Sequence, residues 1–339
     1  MPQLDSVRAL AVAAVMLWHF DPGAISSVVP LGLSVELFFV LSGFLITGIL
    51  LHGEPSAEFV VGFYVRRALR LFPLYYLVIA IVAIASQEIR DAWTYYALYG
   101  ANLWVVEKQR WGIATHFWSL AVEEQFYLIW PFVVLWCSRR ALTAICFALI
   151  VAGATFRLAA VLFAQNYFAY VLLPGSFDAL ACGALLALFG PSRPSVMHAV
   201  MATLSALAVI VCWQYGNPAS IAVAIHSVGL PFFYVVISGT PVGFDGVLGR
   251  VLAQPVLRYL GRISYGLYVF HYLVFVTLKP YLLHVTNDPI AQVGIYTFAT
   301  LVLGIGSWHF IESPINRNRD FVVGVVAERL SRFRFQNSD

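Results

Sequence analysis

Apolar residues along this chain are collected in long runs, separated by short polar stretches or by glycines and prolines. The longest runs, at 31–51, 71–86, 141–163, 197–213 and 290–311, approach or exceed the ~20 apolar residues that a helix needs to cross a hydrocarbon core. Runs of this length predict membrane-spanning helices rather than core strands.

The runs and their breaks predict an all-α integral membrane protein, a polytopic bundle of about ten transmembrane helices. The predicted spans lie near 5–23, 31–51, 71–87, 117–137, 141–163, 170–189, 197–214, 219–238, 265–285 and 290–311. We expect one transmembrane domain at 1–320 and a short basic cytoplasmic tail at 321–339. The first span is expected to be retained, because no basic stretch precedes it and no small-residue cleavage site follows it.

The distribution of basic residues predicts the orientation of the bundle. With the N-terminus inside, the cytoplasmic segments collect most of the arginines, whereas the outer segments hold only Arg90, Lys108 and Arg110. Because positive residues are enriched on the cytoplasmic side, both termini are expected to be cytoplasmic. The long outer segment 88–116 is rich in Trp and Tyr, which favours an interfacial aromatic belt over a sugar-stacking platform.

Composition excludes several classes of protein. Apolar residues make up 61% of the chain and charged residues 11%, whereas about a quarter of the residues in a soluble domain are charged. Membrane topology explains the net charge of +3 without an acidic partner, and the basic residues do not interleave with aromatics as in nucleic-acid binding. The four cysteines lack metal-ligand spacing and the motifs of soluble enzymes are absent. We therefore expect no metal and no nucleic-acid partner.

Ionisable residues inside the spans cost several kcal/mol unless they face a partner or a wet cavity, so their depth is informative. In the first span, Arg8 and His19 are eleven residues apart, which places them within about 20° on the helix face and about 16 Å apart along the axis. Glu36, near the outer end of the second span, is predicted to lie at the depth of His19. Two unlike titratable groups at one depth favour general-base catalysis over a structural ion pair.

The fourth span adds carboxylates to this outer layer. Glu123 and Glu124 are predicted to lie at a depth similar to that of Glu36, and Arg157, in the fifth span, is placed to neutralise one of them. Ser42 and Ser119 lie in the same spans, but a hydroxyl that bonds the preceding helical turn is the simpler explanation for both. No serine is therefore expected to be a nucleophile.

A second, cationic layer is predicted on the cytoplasmic side. Arg66, Arg67 and Arg70 precede the third span, and the i, i+4 spacing puts Arg66 and Arg70 on one helix face. Such a fork suits phosphate groups, although membrane topology alone is the simpler explanation of the three arginines. His271 is also predicted near the inner side, in company with three further ionisable residues, Arg262, His309 and Glu312.

Seven segments in order resemble the membrane acyltransferase family 3, and together they cover the chain from Leu4 to Arg317. They are LDSVRALAVAAVMLWHF at 4–20, ELFFVLSGFLITGIL at 36–50, FYVRRALRLFPLYY at 63–76, FWSLAVEEQFYLIWPF at 117–132, FDALACGALLAL at 177–188, YLGRISYGLYVFHYLV at 259–274 and FIESPINR at 310–317. The resemblance implies an O-acyltransferase of about ten spans in the bacterial cytoplasmic membrane. Some members carry an esterase-like C-terminal domain, and this chain is expected to act as a stand-alone transmembrane domain.

The resemblance also implies roles for individual residues. Those expected to be catalytic are His19, Glu36 and Glu123; those expected to bind the acyl donor are Arg8, Arg66, Arg67 and Arg70. The implied donor is acyl-CoA, with acetyl-CoA as the default, and the implied acceptor is a hydroxyl of a carbohydrate or lipid-linked sugar. Membrane lipids and polysaccharide-assembly proteins are the further partners expected.

Together, the depths and the resemblance predict a path for the acyl group. The CoA phosphates would bind the arginines on the cytoplasmic side, and the thioester would reach His19, which acts either as general base on the acceptor hydroxyl or as acceptor of the acyl group. Glu36 would fix the tautomer of that imidazole. The expected acceptor is exopolysaccharide or O-antigen; the alternatives are a macrolide sugar, or a glycan or lipid transporter without acyl transfer.

Overall fold

The computed structural model describes residues 2–21, 23–166, 168–193 and 195–336, and within them all regular structure is helical. The first nine helices are α1 (Pro2–Phe20), α2 (Ser34–Leu51), α3 (Ala57–Ala85), α4 (Gln87–Asp91), α5 (Trp93–Ala97), α6 (Ala101–Lys108), α7 (Trp118–Trp136), α8 (Arg139–Ala164) and α9 (Phe177–Phe189). The other nine are α10 (Val196–Tyr215), α11 (Pro218–Val228), α12 (Leu230–Val242), α13 (Gly246–Leu252), α14 (Pro255–Arg262), α15 (Ser264–Val285), α16 (Pro289–Ser307), α17 (Ser313–Arg317) and α18 (Arg319–Gln336).

Seven helical segments are long and apolar enough to cross a membrane, counted over the described residues. They are Leu31–Leu51, Ala57–Ala85, Arg139–Ala164, Val196–Tyr215, Pro218–Val242, Ser264–Val285 and Pro289–Arg317. The integral membrane class expected from the sequence is thereby confirmed. The three remaining predicted spans correspond to α1, α7 and α9: the first two carry ionisable residues, and α9 has only 13 residues. The number of ten spans stays a prediction.

Helix α3 begins well before the predicted third span. The Ser56 hydroxyl accepts a hydrogen bond from the Phe59 amide at 3.1 Å and caps the helix. The helix then runs continuously from Ala57 to Ala85, past Pro73. The predicted start of the third span at residue 71 is therefore wrong. The three arginines lie inside the helix, and their charges interrupt the apolar run in the sequence.

The centre of the molecule is a close contact between α2 and α9. A Cβ on Gly43 of α2 would collide with the backbone carbonyl of Leu180, and a Cβ on Gly183 of α9 would collide with the carbonyl of Val40. The two glycines therefore allow the backbones to touch, as small residues do at helix interfaces in membranes. Helices α7, α8 and α12 pack around this pair.

A buried ion pair joins α8, α9 and α11. Arg157 and Asp178 are each 1% exposed, and the guanidinium donates two hydrogen bonds to the carboxylate, at 3.0 Å and 2.6 Å. Arg157 also donates to the Ser227 hydroxyl at 2.6 Å, and that hydroxyl donates to Asp178 at 2.7 Å. The expectation that Arg157 neutralises Glu123 or Glu124 is wrong, because Asp178 takes both of its terminal nitrogens.

The remaining helices enclose this centre. Helix α1 packs against α14 and α15, α15 packs against α16, and the C-terminal α18 lies against α3. The predicted tail at 321–339 begins inside α18; residues 337–339 and the side chains of 327 and 329–336 lie outside the described residues. The domain boundary at residue 320 stays a prediction.

Candidate active site

Two neighbouring cavities lie inside the bundle. The first, of about 330 Å³, has mostly apolar walls but contains three guanidinium groups, those of Arg8, Arg67 and Arg70. We call it the arginine cavity. Pockets of 300–1,000 Å³ with apolar walls and a few polar groups are typical of small-molecule sites.

A carboxylate network crosses the arginine cavity. Glu123 of α7 accepts hydrogen bonds from the Ser42 hydroxyl at 2.7 Å and from the Tyr127 hydroxyl at 3.0 Å, and Tyr127 also donates to Ser42 at 2.9 Å. The Arg67 guanidinium lies over the Tyr127 ring, with 3.7 Å from Cζ to the ring centroid, a distance typical of a cation–π contact. Glu123 is therefore fixed within reach of the cationic groups of this cavity.

This position corrects two sequence-based expectations. Glu123 is not level with Glu36: its partner Ser42 follows Glu36 by six residues in α2, which is about 9 Å further along the helix axis. The shared outer layer was inferred from depth in each helix separately, and the way α7 crosses α2 brings Glu123 deeper. The Ser42 hydroxyl, for its part, bonds across to α7 and not to the preceding turn of its own helix.

Arg66 is the one predicted donor-binding arginine that does not line the arginine cavity. Its guanidinium and the Val323 side chain of α18 both come within 3.4 Å of the place where a Cβ on Gly62 would lie. Arg66 therefore turns back along α3 toward α18, whereas Arg67 and Arg70 enter the cavity. The predicted fork of Arg66 and Arg70 is replaced in the cavity by Arg67 and Arg70.

The second cavity is larger, at about 650 Å³, and contains three imidazoles, those of His19, His116 and His226. We call it the histidine cavity. Glu36 also lines it. Its aromatic walls are formed by Trp18, Trp111, Trp118, Tyr170, Trp213, Tyr268 and Tyr272.

Glu36 pairs with an imidazole that the sequence analysis did not single out. His226 Nδ1 lies 2.8 Å from Glu36 Oε1, and the Tyr170 ring stacks on the imidazole with centroids 5.1 Å apart. The expectation that Glu36 fixes the tautomer of His19 is therefore wrong. His19 instead donates through Nδ1 to the Val15 carbonyl of its own helix at 2.9 Å.

His19 belongs to a cluster of three imidazoles. Its ring centroid lies 5.0 Å from that of His271, which lies 5.4 Å from that of His116. His271 bonds the Tyr268 carbonyl at 2.6 Å and His116 bonds the Val269 carbonyl at 3.1 Å. The inner position predicted for His271 is wrong, because α15 brings this side chain against His19.

Two of the other nitrogens of this cluster have no hydrogen-bond partner. His116 Nδ1 and His271 Nε2 are buried without a hydrogen-bond partner among the described residues. A buried polar atom without a partner is unusual in a folded protein. Despite this clustering, no group of three or more His, Cys, Asp or Glu side chains in the described part of the chain has the arrangement of a metal site.

Tyr268 and Val35 line both cavities. The Tyr268 hydroxyl donates to the His116 carbonyl at 2.7 Å and is also hydrogen-bonded to the Ser119 hydroxyl. Tyr268 and Val35 therefore form the wall between the arginine cavity and the histidine cavity. Helix α1 contributes to both, through Arg8 to the first and through His19 to the second.

The structure thus divides the seven predicted site residues into two groups. Arg8, Arg67, Arg70 and Glu123 line the arginine cavity, His19 and Glu36 line the histidine cavity, and Arg66 lines neither. Sequence reasoning missed Tyr127 and His226. A signal existed for His226: it is an ionisable residue within an apolar span, the same feature that drew attention to His19.

The sequence of this chain is similar to those of several bacterial proteins. The chain is 29% identical to the peptidoglycan O-acetyltransferase OatA of Listeria monocytogenes over 94% of its length, and 30% identical to the putative peptidoglycan O-acetyltransferase YrhL of Bacillus subtilis over 98%. It is 25% identical to the O-acetyltransferase OatA of Staphylococcus aureus over 98%. The aligned region covers 56%, 58% and 60% of these three relatives, respectively.

No solved structure matches the chain. The model of one family, described as an acyltransferase domain, matches residues 1–309. This match extends from α1 through α16 and includes both cavities. The chain therefore belongs to the acyltransferase 3 family of membrane proteins.

Proposed function

We propose that the protein is a membrane O-acyltransferase that moves an acetyl group from acetyl-CoA to a hydroxyl of a carbohydrate. The observation that carries this proposal is the pair of cavities that meet at Tyr268, one with three arginines and the other with imidazoles and a carboxylate. Family membership supplies the reaction class, and the names of the relatives supply the acetyl group and the oxygen acceptor.

The donor is proposed to enter the arginine cavity. CoA carries several phosphates, and guanidinium groups bind phosphate oxygens through charge-assisted hydrogen bonds. The cavity of about 330 Å³ holds a slender arm rather than a whole nucleotide. We therefore place the pantetheine arm among the apolar walls and the phosphates against Arg67 and Arg70.

The acceptor is proposed to enter the histidine cavity. Aromatic rings and carboxylates are suitable partners for the faces and hydroxyls of a sugar, and this cavity offers both. Two relatives are named for peptidoglycan, so peptidoglycan joins exopolysaccharide, O-antigen and macrolide sugars among the acceptors to be tested.

The acyl carbon is proposed to reach His19 past Tyr268. His19 Nδ1 donates to Val15, which leaves Nε2 as the basic nitrogen of the imidazole. This nitrogen can remove a proton from the acceptor or attack the thioester and carry the acetyl group. In either route the acceptor gains an ester and CoA leaves as the thiol.

The orientation in the membrane follows from the same scheme. We propose ten spans, with α1, α7 and α9 added to the seven long apolar helices, and with both termini on the cytoplasmic side of the bacterial membrane. The arginine cavity would then be loaded from the cytoplasm, where acetyl-CoA is made, and the histidine cavity would face the outer leaflet.

A reconstituted assay tests the proposal. The purified protein, in detergent or proteoliposomes without an ion gradient, is given radiolabelled acetyl-CoA and a panel of oligosaccharides from peptidoglycan, exopolysaccharide and O-antigen. We expect label on at least one sugar, and loss of transfer in His19→Ala with folded protein remaining. Wild-type protein that transports sugar and transfers no label would instead support a transporter.

The donor site has a matched control on the same helix. Arg67→Ala with Arg70→Ala is expected to raise the KM for acetyl-CoA by about 100-fold, since two charged hydrogen-bond donors are lost at about 1.5 kcal/mol each. Arg66→Ala is expected to raise it much less, because this side chain lies outside the cavity. Equal effects of both variants, or an effect on the acceptor KM alone, would contradict the placement of the donor.

A further inference from the structure

His226 and Glu36 form a hydrogen-bonded pair on the wall of the histidine cavity. His226 Nδ1 donates to Glu36 Oε1 at 2.8 Å, and His226 and Glu36 are 12% and 3% exposed, respectively. A carboxylate on Nδ1 fixes the proton on that nitrogen, leaves Nε2 basic and stabilises the imidazolium that forms when Nε2 takes up a proton. The pair therefore has the organisation of a general base and its orienting carboxylate.

Three surrounding groups hold His226 in place. Tyr170 stacks on one face of the imidazole. On the next residue, the Ser227 hydroxyl accepts from Arg157 and donates to Asp178, so the buried ion pair anchors α11 directly beside His226. Arg157 Nε donates in addition to the Val223 carbonyl of α11 at 3.3 Å. Such support is what a catalytic side chain needs to keep a productive geometry.

Two atoms of this pair are left for a ligand. Among the described residues, Glu36 Oε2 is buried without a hydrogen-bond partner, and the only hydrogen bond of the His226 imidazole is made through Nδ1. One is an acceptor for a hydroxyl and the other is a base for a hydroxyl proton. Both residues line the same cavity, which has tryptophan and tyrosine walls. A polyhydroxylated ligand such as a sugar satisfies both atoms at once.

We infer that His226, oriented by Glu36, is the catalytic base that deprotonates the acceptor hydroxyl, and that Glu36 Oε2 accepts a neighbouring hydroxyl of the same sugar. This inference rests on the proposed acetyl transfer. The hydroxyl proton passes to His226 Nε2 while the oxygen attacks the acetyl carbonyl carbon. The bond from that carbon to its leaving group breaks, and the imidazolium returns its proton to the leaving atom.

This assignment separates the work of the two imidazoles. His19, whose Nδ1 donates to a backbone carbonyl, has no carboxylate partner in the described part of the chain, and we assign it to the acyl group. If the acetyl group is carried on His19, the leaving atom in the second step is His19 Nε2; in direct transfer it is the CoA sulfur. In both cases the base for the acceptor is His226.

The test compares two acetyl acceptors in the purified full chain. His226→Gln keeps a polar side chain of similar length but cannot take up a proton. With the oligosaccharide that the wild-type protein acetylates, we expect kcat to fall by about 10²–10⁴-fold, with the KM for acetyl-CoA unchanged within twofold. Hydroxylamine, a nucleophile that attacks without prior deprotonation, should be acetylated by the variant at a rate near that of the wild type.

Glu36→Gln and a distant histidine complete the experiment. Because Glu36 acts on the base, adding Glu36→Gln to His226→Gln should cause little further loss of kcat. His284, exposed near the C-terminal end of α15, serves as control, and His284→Gln should leave both acceptors unaffected.

The outcomes are distinguishable. Wild-type kcat for the sugar in His226→Gln overturns the inference while leaving the proposed function intact, and equal loss with sugar and hydroxylamine shows a structural role only. A wild-type protein that acetylates no sugar overturns the proposed function itself.

Discussion

The buried ion pair of Arg157 and Asp178 gives the sharpest stability prediction. In Asp178→Asn the side chain keeps its shape but loses its charge, and the Arg157 cation stays buried with neutral partners only. The structure shows two charge-assisted bonds between the pair, at 3.0 Å and 2.6 Å, and such bonds contribute about 1.5–3 kcal/mol each. Breaking a buried pair from one side typically costs about 3–5 kcal/mol, which is the loss we expect in the free energy of unfolding.

The assay is equilibrium unfolding of the purified protein in mixed micelles of mild detergent and sodium dodecyl sulfate, followed by tryptophan fluorescence. A double variant, Arg157→Met with Asp178→Asn, removes the stranded cation and should be more stable than Asp178→Asn alone. Asp245→Asn is the matched control, since Asp245 is 87% exposed and 3.9 Å from Arg193, and it should leave the midpoint unchanged. An Asp178→Asn midpoint equal to that of the control, or strictly additive losses in the double variant, would refute the reasoning.

Three further predictions concern packing and the two cavities. Gly183→Val should prevent recovery of folded protein, because its Cβ meets the Val40 carbonyl. Gly48→Val in α2 should be tolerated, because no described atom lies within 4 Å of its Cβ position. The yield of monodisperse protein in size-exclusion chromatography distinguishes the two variants. Tyr268→Ala opens the wall between the cavities and should raise the rate at which CoA is released without acceptor, while Tyr268→Phe should raise it much less. The measurement is thiol release with acetyl-CoA alone, and equal rates in both variants and the wild type would contradict this prediction. Glu123→Gln retains hydrogen bonding to Ser42 but loses the charge near the arginines, so acetyl transfer should fall by at least 10-fold with folded protein present; wild-type turnover would show that the carboxylate is dispensable.

The elements of the fold were largely predictable because the membrane imposes a single rule on every span. Twenty apolar residues in a row have few alternatives to a helix, and seven long apolar helices match predicted spans. The boundary of α3 was missed because hydropathy alone treats Arg67 and Arg70 as the end of a span. In the protein these guanidiniums face a cavity inside the bundle, so the helix continues through them.

The partners of the site residues were much less predictable. Helix periodicity fixes the relative directions of Arg8 and His19, which share one helix, but nothing in a single sequence fixes how α2 is rotated against α1 or α11. The match of depth between Glu36 and His19 was therefore only a necessary condition for contact. The rotation and crossing of the helices instead bring Glu36 into contact with His226 and Glu123 into contact with Ser42.

The contact between α2 and α9 ties the chemistry to the scaffold. Glu36 lies seven residues before Gly43 on α2, and Asp178 lies five residues before Gly183 on α9. Because the two backbones touch, neither helix can slide or rotate alone. Glu36, which orients His226, therefore moves together with Asp178, which anchors α11. Heating should therefore abolish turnover and collapse the bundle at one temperature, and variants selected for a new acceptor should change the aromatic rim of the histidine cavity before they change either glycine.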